Sequence, residues 1–171
     1  GDDTVDPDFQ KKELTYSTTT TPSPGVASAV LKLKQGWQIS QFHIFSNKRM
    51  LIQLTNGSQT DNSNIIDIGI GLNGFAKAGT AKTSDKKTPS GGWKIIDIRH
   101  VPGKAQFNKK GSNMGAAFWH LDPMTSGERG IGMHGNKNGT ISSTNGCIRL
   151  KNTDLLALQP YIKTGIPVYI D

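Results

Sequence analysis

The sequence predicts a mainly β fold, a β-sandwich or distorted barrel of mixed sheets with one C-terminal helix. Three observations carry that expectation. Apolar residues alternate with period two over short runs, turn residues divide those runs, and helical spacing of apolar residues is persuasive once, near the end of the chain.

The elements follow in order. Residues 1–36 are a polar, Thr/Pro-rich N-terminal segment: Asp2, Asp3, Asp6, Asp8 and Glu13, then Thr18 to Thr21 and Pro22-Ser23-Pro24-Gly25. Such composition has little apolar surface to offset its ordering entropy, so a linker or a tail wrapping the surface is expected. Residues 37–171 are the expected folded domain. Met50, Ile52 and Leu54 share one strand face, and Ile66, Ile68, Ile70 and Leu72 repeat the period. Ser46-Asn47 and Asn56-Gly57 are the turn signals around them. Further strands are predicted over Trp93 to Ile98, Ala116 to Leu121, Gly130 to His134 and Val168 to Ile170. The helix is capped by Asn152 or Thr153, carries Asp154 in its first turn, and aligns Leu155, Leu158 and Ile162 on one face; Gly165 follows as a stop. Pro160 removes a donor, which predicts a break near Gln159.

Composition bounds the function. A chain of 171 residues is one domain, large enough to stand without disulfides or a structural metal. No apolar run is long enough for a transmembrane segment. The net charge is +7, and because the first thirteen residues carry −3, the rest carries +10. A basic body suits an anionic partner, and the absence of any nucleic-acid-binding motif excludes nucleic acid as the expected one. The chain begins at Gly1 without Met or an apolar leader, as expected of a mature exported protein whose signal segment has been removed.

Cys147 is the single cysteine, so no internal disulfide forms. Its neighbourhood is therefore informative. Gly-Ile-Gly-Met-His134-Gly135 is separated from Ser142-Ser143-Thr144-Asn145-Gly146-Cys147-Ile148-Arg149 by a short polar loop, with twelve residues between His134 and Cys147. Taken singly, the cysteine reads as packing, the histidine as structural and the arginine as an ion-pair partner. Together they suit nucleophilic catalysis: an imidazole lowers the thiol pKa and carries the proton. Gly146 lets a carbonyl approach closely, successive amides can hold an oxyanion, and Arg149 shares the Cys147 face if the segment is extended.

His134-Gly135 followed by Ser143-Thr144-Asn145-Gly146-Cys147-Ile148-Arg149 resembles the signature of the L,D-transpeptidase catalytic domain, also called the YkuD domain. Lys87-Thr88-Pro89-Ser90-Gly91-Gly92-Trp93 is similar to the family's Thr-Pro-Gly segment, and the likeness runs from about Trp37 to Ile170. The resemblance implies a peptidoglycan L,D-transpeptidase with Cys147 as nucleophile, His134 as base and acid, and Arg149 fixing the site or meeting a substrate carboxylate. It further implies Gly146 and Cys147 as oxyanion donors, and Gly135, Ser143, Thr144 and Asn145 as substrate-binding residues. The implied partners are peptidoglycan stem peptides, with no metal or organic cofactor. The expected protein is a monomer exported to the periplasm, cell wall or extracellular space of a bacterium. The His134 to Cys147 loop is shorter than is common in the family, Asn136 stands where Ser or Thr often does, and Asn145 where His often does; these bear on subsite and acceptor. The competing readings are a sortase-like transpeptidase, disfavoured by the short His-to-Cys spacing, and a catalytically silent wall-binding module.

Other motifs have plainer readings. His43, His100 and His120 lack metal-ligand spacing and are assigned structural or surface roles, with a place near the site as the alternative for His120, which follows Phe118-Trp119. The basic stretch Lys77 to Lys87 reads as a solvated loop. Residues 99–115 read as a surface loop, with a lid over the cleft as the alternative.

Overall fold

The computed structural model describes residues 25–77, 85–100, 115–122 and 131–171. Helix α1 (Ala27–Lys34) leads into β1 (Gln38–Phe45), β2 (Arg49–Thr55) and β3 (Thr60–Asp67). The short strands β4 (Phe75–Ala76) and β5 (Thr88–Pro89) pair with each other. Then come β6 (Gly91–His100), β7 (Ala117–Asp122), β8 (Ile131–His134) and β9 (Ile148–Arg149). Helix α2 (Asn152–Leu158), a 3-10 turn (Gln159–Tyr161) and β10 (Pro167–Ile170) complete the chain.

Eight strands form one mixed sheet in the order β3-β2-β1-β10-β6-β7-β8-β9, parallel at β1/β10 and β8/β9 and antiparallel elsewhere. The sheet rolls until its two edges meet. Gly69, just past β3, exchanges backbone hydrogen bonds of 2.8 Å with Arg149 of β9. Two residues on, Thr144 donates to Ile70 O and accepts from Leu72 N, both at 3.0 Å. A distorted barrel results. Glycine is required at this seam, because a Cβ on Gly69 would lie 2.6 Å from the carbonyl oxygens of Ile141 and Ser142.

The main core lies inside the curl, built from Phe42, Ile44, Ile52, Ile95, Trp119, Met133 and Ile148, and is covered by Leu155 and Leu158 of α2. The expected period of two continues past β3: Ile66, Ile68 and Ile70 are buried. Leu72 breaks it and is 58% exposed, although its N–H is still bonded at the seam. The hairpin turns fall as expected, with Lys48 and Gly57 in the left-handed region. The break at Pro160 is observed as the change from α-helix to 3-10 turn, and Leu155, Leu158 and Ile162 are buried.

Two expectations are corrected. The segment taken as polar tail to residue 36 contains α1, whose Ala29 and Leu33 are buried in the main core, so the folded unit begins before Trp37. Gly36, with φ 101°, ends that helix: Gly36 N–H donates to Leu33 O and Trp37 N–H to Lys32 O, a Schellman arrangement. The tail itself, residues 1–24, lies outside the described residues, as does Gly130 of the predicted strand. The second correction concerns α2. Its N-cap is Lys151 with no side-chain cap bond, and neither Asn152 nor Thr153 caps it.

Among the described residues, no helix is long and apolar enough to cross a membrane, and no group of three metal-binding side chains forms.

Candidate active site

Strands β7, β8 and β9 carry the site at one edge of the sheet. Their register aligns Phe118, His134 and Arg149 as successive cross-strand neighbours. Met133 and Ile148, the intervening residues, point into the core, so strand alternation sends His134 and Arg149 to the opposite face. Cys147 immediately precedes β9 and is half-buried. The fold thus brings the three predicted residues to one place.

His134 is buried, with 4% of its surface exposed, and its Nδ1 lies 2.6 Å from the carbonyl oxygen of Gly135. A carbonyl can only accept, so Nδ1 is the donor and Nε2 is the basic nitrogen of the neutral ring. Phe118 stacks on the imidazole, with centroids 5.9 Å apart and planes 14° from parallel. Its ring sits over Gly132, where a Cβ would fall 2.5 Å from Cζ. That explains the glycine two residues before His134.

The turn before Cys147 is held by Thr144. Its hydroxyl donates to Cys147 O at 2.6 Å and accepts from Gly146 N–H at 2.9 Å, and Gly146 adopts φ 141°. The Gly146 amide, one of the two expected oxyanion donors, is engaged by the Thr144 hydroxyl in this structure. Arg149 Nη1 donates to Ser142 Oγ at 2.9 Å and to the carbonyls of Ser142 and Ser143, each at 3.2 Å. Of the two roles foreseen for Arg149, this geometry fits fixing the site. Burial lowers the Arg149 pKa, and attraction to an ionised Cys147 opposes that shift. The guanidinium stays charged, and the same attraction acts on a thiolate at Cys147.

The residues expected to bind substrate divide into two groups. Ser143 and Asn145 are exposed, while Gly135 and Thr144 are buried and shape the site from behind. Gly135 packs directly against the Asn152 side chain. Asn136 is also buried: its Oδ1 accepts from Asn138 N–H, and its Nδ2 donates to Thr140 O, which folds the short loop after the histidine.

Sequence reasoning missed Phe118, Gly132 and Asn152. The signal for Phe118 was the strand alternation of Phe118 and His120 beside a predicted β8; Asn152 was visible only as a cap. His120, for which a place near the site is the alternative reading, lies 5.8 Å from Phe118 between ring centroids and belongs to the same face as His134. His43 is remote on β1, buried on Phe45, with Nε2 2.8 Å from Asp171 Oδ1. Most of the basic stretch (78–84) and of the lid candidate (101–114) lies outside the described residues.

A curled mixed sheet that presents a histidine at the end of one strand and a cysteine directly before the neighbouring one is suited to thiol acyl transfer. The chain belongs to the L,D-transpeptidase catalytic domain family, YkuD, whose model matches residues 42–170. No curated protein matches it. Among solved structures it is similar to Bd1075 of Bdellovibrio bacteriovorus, with 18% identity, a TM-score of 0.57, 80% of this chain covered and 49% of that one. It is likewise similar to the helical cell shape determining protein Pgp2 of Campylobacter jejuni, with 20% identity, a TM-score of 0.57 and coverage of 78% and 47%. At these identities the likeness is one of fold, and the chain spans about half the length of either structure.

Proposed function

We propose that the protein is a peptidoglycan L,D-transpeptidase acting in the bacterial cell envelope. The observation that carries this reading is the in-register placement of His134 and Arg149 on adjacent strands with Cys147 directly before β9, within the family match. His134 Nε2 takes the Cys147 proton, and the thiolate attacks the carbonyl of the L centre of the third, diamino acid residue of a stem tetrapeptide. The Cys147 amide is the proposed oxyanion donor. Collapse of the tetrahedral intermediate breaks the bond to the terminal D-alanine, whose amine leaves with the proton from His134, and a thioester remains. An amine of a second stem peptide attacks the thioester, loses its proton to His134 and returns the thiol, forming a crosslink. Water in place of that amine releases a tripeptide.

The charge distribution supports a carboxylate-rich substrate, since the chain beyond the acidic first thirteen residues carries +10. The test is incubation with purified stem tetrapeptide or intact muropeptides, followed by mass spectrometry of protein and products. The expected result is D-alanine release with a Cys147 acyl adduct, abolished in Cys147→Ser. Neither product nor adduct, under conditions where a known relative turns over, would sink the reading in favour of a silent wall-binding module.

A further inference from the structure

We infer that Asn152 is a positioning residue for His134, holding the backbone on which the imidazole is hung; the inference deepens the proposed function and rests on His134 as its base. Asn152 is the first helical residue of α2, directly after the N-cap Lys151, and its side chain bonds outside the helix. Oδ1 accepts from Ala116 N–H at 3.0 Å, at the entry to β7, and Nδ2 donates to Asn136 O at 2.7 Å, just past the exit of β8. One amide therefore ties the start of the strand carrying Phe118 to the end of the strand carrying His134.

The glycines around it are fitted to that amide. A Cβ on Gly115 or on Gly135 would overlap Asn152 Oδ1, and Gly115 has φ 67°. Gly135 supplies the carbonyl that receives His134 Nδ1–H. Its carbonyl and the amide of Asn136 belong to one peptide plane. Asn152 packs on Gly135 at one end of that plane and holds the Asn136 carbonyl beyond the other, so the acceptor for Nδ1 cannot swing without breaking the Asn152 bonds. The chain of effect runs from Asn152 to the Gly135 carbonyl, to protonation at Nδ1, to a basic Nε2.

The experiment is 15N NMR of the histidine rings in the full chain, with His134 signals assigned by their loss in His134→Ala. The wild type is expected to show the Nδ1-protonated neutral tautomer at His134. Asn152→Ala removes both bonds. Asn152→Asp preserves shape and the acceptor for Ala116 while losing the donor to Asn136, and serves if the first variant does not fold. In either folded variant the His134 tautomer should shift to a mixture, with kcat for D-alanine release down about 10-fold to 100-fold and KM within about threefold. An unchanged His134 tautomer overturns the inference, whether or not kcat falls. Absence of D-alanine release by the wild type would instead defeat the proposed function, and the NMR comparison would still decide the role of Asn152.

Discussion

Phe118 lies almost parallel to His134, ring against ring, and it can do so because residue 132 beneath it has no Cβ. The histidine is thus held from two sides, by an aromatic face and by the carbonyl of Gly135. Gly132→Ala should push the Phe118 ring off its seat and misplace the imidazole. We expect kcat/KM for D-alanine release to fall about 10-fold with a stability loss of about 1–3 kcal/mol from overpacking. Steady-state kinetics and thermal melting check this, and a variant with wild-type turnover would remove Phe118 and Gly132 from the account.

Thr144 spends its one hydroxyl on both sides of the Cys147 turn. Thr144→Val keeps the shape and leaves the buried Gly146 amide without that acceptor, a cost of about 1–3 kcal/mol. The rate of Cys147 alkylation by iodoacetamide at neutral pH should change several-fold, with Thr144→Ser restoring it. Equal alkylation rates for Thr144→Val and wild type would show that the turn holds without the hydroxyl.

Arg149 combines a charge near Cys147 with the bonds that its Nη1 donates to the 142–143 turn. Arg149→Met should lose both effects and Arg149→Lys only those bonds, because an ammonium keeps the charge without the planar guanidinium that carries Nη1. The expected order of thiol alkylation rates at pH 7 is wild type, then Lys, then Met. If Lys and Met behave alike, the bonds to the turn alone matter.

Gly69 closes the sheet by approaching backbone, not movable side chains. Gly69→Ala must therefore part the seam between the β3 extension and β9. We expect a loss of about 2 kcal/mol or more in chemical denaturation, at the upper part of the usual range for single substitutions. A loss under about 0.5 kcal/mol, the range of ordinary surface changes, would mean the seam yields freely.

Asp61 anchors α1 to β3 through Lys32 Nζ at 2.5 Å. Burial alone would raise its pKa, but hydrogen bonds from Lys32, Ser63 and Asn64 outweigh that and lower it from 3.8 to about 2. A carboxylate depressed in the folded state stabilises above its unfolded value and loses that contribution as pH falls through the folded one. Stability from Asp61 should therefore be complete above pH 3.8 and fade toward pH 2. Asp61→Asn should cost up to about 1 kcal/mol at pH 6 and flatten this part of the acid limb in denaturation curves taken across that window.

The strands were legible in the sequence because their signal is local: Met50, Ile52 and Leu54 alternate, and all three are buried. The helix break at Pro160 was legible for the same reason, since a missing N–H acts at its own position. Helix α1 was not, although Gly36 marked its end. Its two core contacts, Ala29 and Leu33, are too few to stand out beside an acidic, Thr/Pro-rich segment.

The mainly β class and the grouping of His134, Cys147 and Arg149 could be read from residue order, because a short spacing of reactive residue types is a one-dimensional fact. What orients them came from the fold. Phe118 reaches His134 from a neighbouring strand, Asn152 reaches the Asn136 carbonyl from the following helix, and the Gly146 amide is taken by a hydroxyl two residues away. Such roles depend on direction and on whether a donor is already spent, and neither is written in residue order.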